Sequence, residues 1–185
     1  MNNHHLILGG ARSGKSGFAE QKAIELANLS SELKLNYVAT AICFDEEMKE
    51  RIAHHQKRRN ERWIEHEESR ALEALFSGFG RHDVVLVDCL TLWLNNVIYD
   101  LGEEATNEQV ELEIERLVSA INQSTAQFIM VSNEVGLGIV PMGKVSRLFV
   151  DNAGRMNQAL ARVVGNVTFI AAGLPMKLKS MSSNL

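Results

Sequence analysis

Gly9-Gly10-Ala11-Arg12-Ser13-Gly14-Lys15-Ser16 is the stretch from which the rest of this chain becomes readable. Its spacing fits G-x-x-x-x-G-K-[ST], in which backbone N–H groups wrap around phosphate oxygens, a lysine reaches the outer phosphates and a hydroxyl holds Mg²⁺. A side chain at Gly9 or Gly14 would block the backbone conformation or its approach to the phosphate. The flanks supply the strand–loop–helix setting the motif needs. His5-Leu6-Ile7-Leu8 reads as a short buried strand, and Ser16 to Leu29 as a helix burying Phe18, Ala19, Ala23, Leu26 and Ala27 at helical spacing.

The 185 residues, 45% of them hydrophobic, suit one nucleotide-binding domain over residues 1–185. With 2 prolines and no linker-like run, nothing in the sequence marks a boundary. A net charge of −4 gives no basic footprint for nucleic acid or an anionic membrane, so any anion must be held locally. Cys43 and Cys89 have neither metal-ligand spacing nor the look of a disulfide framework. No signal peptide or bilayer-length apolar run is read, and a reduced, cytoplasmic setting without a membrane span is the expectation.

Downstream, strands alternate with helices. Tyr37-Val38-Ala39 reads as a second strand that brings Thr40 and Ala41 to the carboxyl edge of a sheet, where ligands bind in open α/β folds. Asp45 reads as the N-cap of a helix carrying Arg51-Ile52-Ala53-His54-His55-Gln56-Lys57-Arg58-Arg59. Helical spacing puts His55 on a stripe with Met48 and Ile52, and His54 on another with Arg51 and Arg58. His55 thus fits a packed histidine. Positive neighbours disfavour the imidazolium at His54, leaving a neutral ring able to act as nucleophile; a solvated basic helix face is the alternative. Glu67, after Trp63, is either a ribose or base contact or a surface charge.

Val84-Val85-Leu86-Val87-Asp88 is an apolar run that reads as a buried parallel strand delivering Asp88 to the sheet edge, for Mg²⁺ or as the cap of the next helix. Thr91 to Tyr99 is helical or irregular. Thr106-Asn107-Glu108-Gln109 is a capping box opening a helix to about Asn122. Phe128 to Val131 is another strand, followed by the polar, glycine-containing Ser132 to Gly138. Lys144 to Val164 is a long helix stopped by Gly165, with Arg147, Asp151 and Arg155 in an intrahelical row, and Val167 to Ala171 is a last strand. The expected fold is a three-layer α/β P-loop NTPase-like domain with a mostly parallel, RecA-like sheet.

Beyond the phosphate loop, Tyr37-Val38-Ala39-Thr40-Ala41, Arg51-Ile52-Ala53-His54-His55, Trp63 with Glu67, Asp88-Cys89-Leu90-Thr91, Asn133 through Pro141, Arg147 through Asp151 and Gly154 to Asn157 together resemble one family over nearly the whole chain. It is the bifunctional adenosylcobinamide kinase / adenosylcobinamide-phosphate guanylyltransferase family of cobalamin synthesis. The resemblance implies phosphorylation of the aminopropanol hydroxyl of adenosylcobinamide by ATP or GTP, then GMP transfer from GTP to that phosphate. It further implies that the first His of the pair, His54, carries GMP covalently, with Lys15 also catalytic. Nucleotide contacts carried over are Gly10, Ala11, Arg12, Ser13, Gly14, Lys15, Ser16, Gly17, Thr40, Ala41, Lys57, Arg58, Arg59, Asn60, Glu67 and Asp88. Ser16 and Asp88 would stand on the Mg²⁺ side. One departure is Asn60, which stands where the family usually has Pro. The implied partners are a corrinoid substrate and a nucleoside triphosphate, in a homo-oligomer, a trimer by the family's habit. The alternatives from the residues themselves are a P-loop kinase for another substrate and an NTPase switch module, neither with a covalent intermediate.

Overall fold

Val84, Val85, Leu86 and Val87 are all fully buried, so their strand must be covered on both faces, and the sheet is built around that requirement. In the computed structural model, which describes residues 3–42 and 62–180, the elements run β1 (His5–Gly9), α1 (Lys15–Ala27), β2 (Lys34–Ala39), β3 (Trp63–Glu67), α2 (Leu72–Phe76), β4 (Asp83–Asp88), α3 (Leu90–Leu101), α4 (Asn107–Gln123), β5 (Gln127–Asn133), α5 (Lys144–Val163), β6 (Asn166–Ala171) and β7 (Leu174–Lys179). The seven strands lie in the order β3-β2-β4-β5-β1-β6-β7. All neighbours are parallel except β6 and β7.

Period-two alternation sorts the strand side chains between two cores. Ile7, Leu35, Tyr37, Val84, Leu86, Ile129, Val131 and Ile170 pack with Ala19, Ala23 and Ala27 of α1. Leu6, Leu8, Val38, Val85, Val87, Phe128, Met130 and Val167 face the other way, onto α2 to α5. The result is the expected three-layer arrangement. Three small alanines on α1 let that helix lie close to the sheet, which holds its N-terminus against the end of β1.

Local chemistry marks several boundaries. Thr106 and Gln109 form the capping box reciprocally, the Thr106 hydroxyl accepting from the Gln109 N–H and the Gln109 side chain from the Thr106 N–H. The long helix ends at Val163 with Val164 as its C-cap, one residue before Gly165. Arg147 and Arg155 have partners outside their own helix, Arg155 also donating to Asn152 within it at 3.4 Å. Arg155 pairs with Glu111 of α4 at 3.2 Å, and Arg147 donates to the carbonyls of Pro141 and Met142.

Three elements differ from expectation. Residues 63–67 form the edge strand β3, and 72–76 form a short helix anchored by fully buried Leu72 and Phe76. Nor does the sheet end at Ala171: Ala172 and Gly173, with φ of 51° and 80°, turn the chain back into antiparallel β7. Both turn residues have positive φ, as a type I′ two-residue hairpin requires, but Ala is not the usual signal there. Every residue of β7 is exposed, so no burial pattern announces it. The helix expected after Asp45, with His54 and His55, lies outside the described residues.

Candidate active site

The parallel strands all run toward one edge of the sheet. Glu67, Ala39, Asp88 and Val131 stand in register across β3, β2, β4 and β5, and Gly9 stands opposite Asn133 where β1 meets β5. Thus β5 separates the strand that leads into the phosphate loop from the strand that carries Asp88, leaving a gap of roughly two strand spacings, about 10 Å, between them.

The loop is shaped by steric exclusion. At Gly9, φ is 154° and a Cβ would collide with the carbonyl oxygen of Ile170 on β6 and lie 2.8 Å from Ser13 Oγ. Gly14, at φ 98°, is the N-cap of α1, and Arg12 is left-handed at φ 54°. The β6–β7 turn buttresses the loop from outside, Gly173 N–H donating to the Ser13 carbonyl at 2.9 Å. Among the described residues no side chain caps α1, and its first turn holds no acidic residue. Its leading N–H groups and positive dipole end are therefore available to an anion.

Lys15 crosses this loop. Its Nζ donates to the Gly10 carbonyl at 2.5 Å and lies 3.5 Å from Ser13 Oγ, and the residue is only 7% exposed. Burial lowers its pKa, against the opposing pull of Cys89 and Asp88. A phosphate would give this ammonium the counter-charge that one carbonyl does not supply. Arg12 is exposed, and Ser16 and Gly17 begin the first turn of α1 half-buried.

Asp88 accepts from the Tyr37 hydroxyl at 3.4 Å. The Asp88–Cys89 peptide is cis. Thr40, expected to face nucleotide, is fully buried: its hydroxyl donates to the Cys89 carbonyl at 2.7 Å and accepts from the Cys89 N–H at 2.8 Å. Ala41 is half-buried just beyond it, and Glu67 is exposed at the end of the edge strand. His54, Lys57, Arg58, Arg59 and Asn60 lie outside the described residues. The Ser16 hydroxyl and Asp88 carboxylate are hard oxygen donors of the type Mg²⁺ takes alongside phosphates. Among the described residues no cluster of three or more His, Cys, Asp or Glu side chains is placed to hold a metal by itself. The donor set therefore fits a metal that arrives with the nucleotide.

Spacing alone did not reveal the polar framework under this edge. Thr91 Oγ1 accepts from the Asn133 N–H at 2.6 Å and lies 3.3 Å from Ser132 Oγ, which donates to Asn157 Oδ1 at 2.7 Å. Helices α3 and α5 thus hold the end of β5, and Glu134 N–H donates to the Gly9 carbonyl at 3.0 Å. The hydroxyl residues Thr91 at the start of α3 and Ser132 near the end of β5 are what the sequence shows of it, and their partners are 25 to 42 residues away. Cys89 is buried with its thiol pKa pushed up to about 11, chiefly by desolvation, which makes it an inert thiol rather than a nucleophile.

A glycine loop between a buried strand and an uncapped helix, a lysine across it and a carboxylate two strands away define a P-loop nucleotide-binding α/β domain. Residues 5–178 match the family model described as cobinamide kinase / cobinamide phosphate guanyltransferase, and the chain belongs to that family. It is 47% identical over 175 residues to the bifunctional adenosylcobalamin biosynthesis protein CobP of Pseudomonas aeruginosa, covering 94% of this chain and 96% of that one. It is 35% identical to the bifunctional adenosylcobalamin biosynthesis protein CobU of Escherichia coli, covering 94% and 98%. The CobU protein of Salmonella typhimurium is 36% identical over 184 residues.

Proposed function

We propose that this protein is a two-step enzyme that phosphorylates the aminopropanol hydroxyl of adenosylcobinamide and then converts the phosphate to adenosylcobinamide-GDP. The observation that carries this is the phosphate loop with its buried lysine and open helix end, in a chain whose family match runs from residue 5 to 178. In the first step the substrate oxygen attacks the γ-phosphorus of ATP or GTP, loses its proton, and the nucleoside diphosphate leaves. The loop N–H groups and Lys15 neutralise charge on the phosphates and hold the reacting atoms in line. In the second step a ring nitrogen of His54 attacks the α-phosphorus of GTP, a P–N bond forms, and pyrophosphate leaves. The phosphate oxygen of adenosylcobinamide phosphate then attacks the same phosphorus, the P–N bond breaks, and His54 is regenerated.

Ser16 and Asp88 would hold Mg²⁺, which when bound neutralises phosphate charge. Gly10 to Gly17, Ala41, Lys57 to Asn60 and Glu67 are the proposed nucleotide contacts. The protein acts in the cytoplasm as a homo-oligomer, a trimer by family resemblance. Exposed Leu137, Ile139, Val140 and Met142 after β5, with Ile139 99% exposed, support a covered surface in the assembly. Among the described residues no helix is long and apolar enough to cross a membrane.

Incubation with GTP labelled at the α-phosphate is the test. Acid-labile, hydroxylamine-sensitive protein label, lost in His54→Ala and discharged onto adenosylcobinamide phosphate, is expected. Absence of label in protein that binds GTP would refute the covalent step, and absence of any product from adenosylcobinamide would favour a nucleotide switch instead.

A further inference from the structure

The end of β2 is tied to α3 by one side chain that none of the site motifs includes. Asn96 is 5% exposed, and its Nδ2 donates to the Thr40 carbonyl and to the Ser69 carbonyl, each at 3.0 Å. Both hydrogens of the amide therefore leave the helix, one for the residue just past β2 and one for the segment just past β3. Trp93, one turn earlier on α3, reinforces the second attachment by donating from its indole N–H to the Arg70 carbonyl at 2.8 Å. Glu68 N–H donates to the Ala39 carbonyl at 3.0 Å, closing the gap between the two strand ends.

Thr40 passes this constraint on. Its carbonyl takes the Asn96 hydrogen, its hydroxyl holds both the N–H and the C=O of Cys89, and its own N–H points to the Asp88 carbonyl at 3.4 Å. The Asp88 carboxylate is thus oriented from one side by the Tyr37 hydroxyl and from beneath by a backbone that Thr40 grips. We infer that Asn96 is a positioning residue for the nucleotide site: through Thr40 it fixes the backbone that aims Asp88, so that Thr40 serves the site from behind. This inference rests on the proposed phosphate-site function. It assigns the Asn96–Thr40 pair a share in the metal-dependent part of nucleotide binding and none in the grip of the loop, which is built from β1, α1 and the β6–β7 turn.

The test is calorimetric titration of the full-length protein with GTP, in EDTA and in saturating Mg²⁺, for wild type, Asn96→Ala, Asn96→Asp, Thr40→Val, Thr40→Ser and the Asn96→Ala/Thr40→Val double variant. The expected result is a metal-free affinity equal to wild type and a Mg²⁺-dependent gain reduced about tenfold in Asn96→Ala, Asn96→Asp and Thr40→Val, the size set by losing one or two buried hydrogen bonds. Thr40→Ser, which keeps the hydroxyl, retains the gain. The double variant is no worse than the weaker single one, because the two residues act in series. A lowered melting temperature with the Mg²⁺ gain intact, or an equal loss with and without metal, would overturn the inference by showing a purely structural role. Should Asn96→Ala fail to fold, the contrast between Thr40→Val and Thr40→Ser decides alone. Wild type that binds GTP no better than Lys15→Ala would instead refute the phosphate site, and the inference would fall with it.

Discussion

Gly9→Ala is the substitution whose cost the structure specifies most directly. The added Cβ would run into the Ile170 carbonyl oxygen and sit 2.8 Å from Ser13 Oγ, at a φ of 154°. Ile170 cannot retreat cheaply, because its backbone belongs to β6, held between β1 and β7, and β1 is itself paired to β5 and β6. Overpacking of this kind costs about 1–3 kcal/mol, and a φ that residues with a Cβ rarely adopt adds about 1–3 kcal/mol. The sum, about 2–6 kcal/mol, corresponds at about 2–4 °C per kcal/mol to a fall in melting temperature of roughly 4–24 °C for a chain of this size. Relief by displacing the loop would misalign the N–H groups, so GTP affinity drops as well. Gly10→Ala is the control: among the described residues nothing lies within 4 Å of its added Cβ, and its stability should stay within about 0.5 kcal/mol of wild type. Thermal unfolding and GTP calorimetry on the pair read both effects. Equal melting temperatures for Gly9→Ala and Gly10→Ala would refute the steric account of the loop.

Lys15→Met should lower GTP affinity about 10- to 100-fold, the worth of a charged hydrogen bond to phosphate. It should leave the melting temperature unchanged or raised, since burial already disfavours the ammonium; calorimetry with a melting curve checks both, and retained affinity would remove Lys15 from the site. His5 supplies a pH prediction. Burial first, then Lys22 and Lys177, lowers its pKa to about 4, while its ring lies 2.8 Å from Thr168 Oγ1. The unfolded chain binds this proton near the ordinary pKa of 6.5 and the folded one only near 4, so stability is full above pH 6.5 and declines as pH falls toward 4. Urea midpoints at several pH values should show that decline reduced in His5→Gln; an unchanged slope would show that another group governs acid sensitivity.

Much of the fold was legible because its signals are local. The apolar run Val84–Val87 demands cover on both faces, the glycines at 9 and 14 demand a special backbone, and the Thr106–Gln109 box opens a helix within four residues. β7 is not legible in the sequence because an exposed edge strand carries no burial pattern, and α2 because five residues are too few for helical periodicity to emerge. At the site, the sequence alone determined the phosphate loop and placed Asp88 at a strand end, since both follow from residue type and spacing. Only the tertiary structure decided that β5 lies between them, that Thr40 turns inward to grip Cys89, and that Asn96, 56 residues from Thr40, holds it there. The physical reason is that strand order and buried hydrogen-bond partners are properties of packing between distant segments, and no short window of sequence encodes which carbonyl a buried amide will meet.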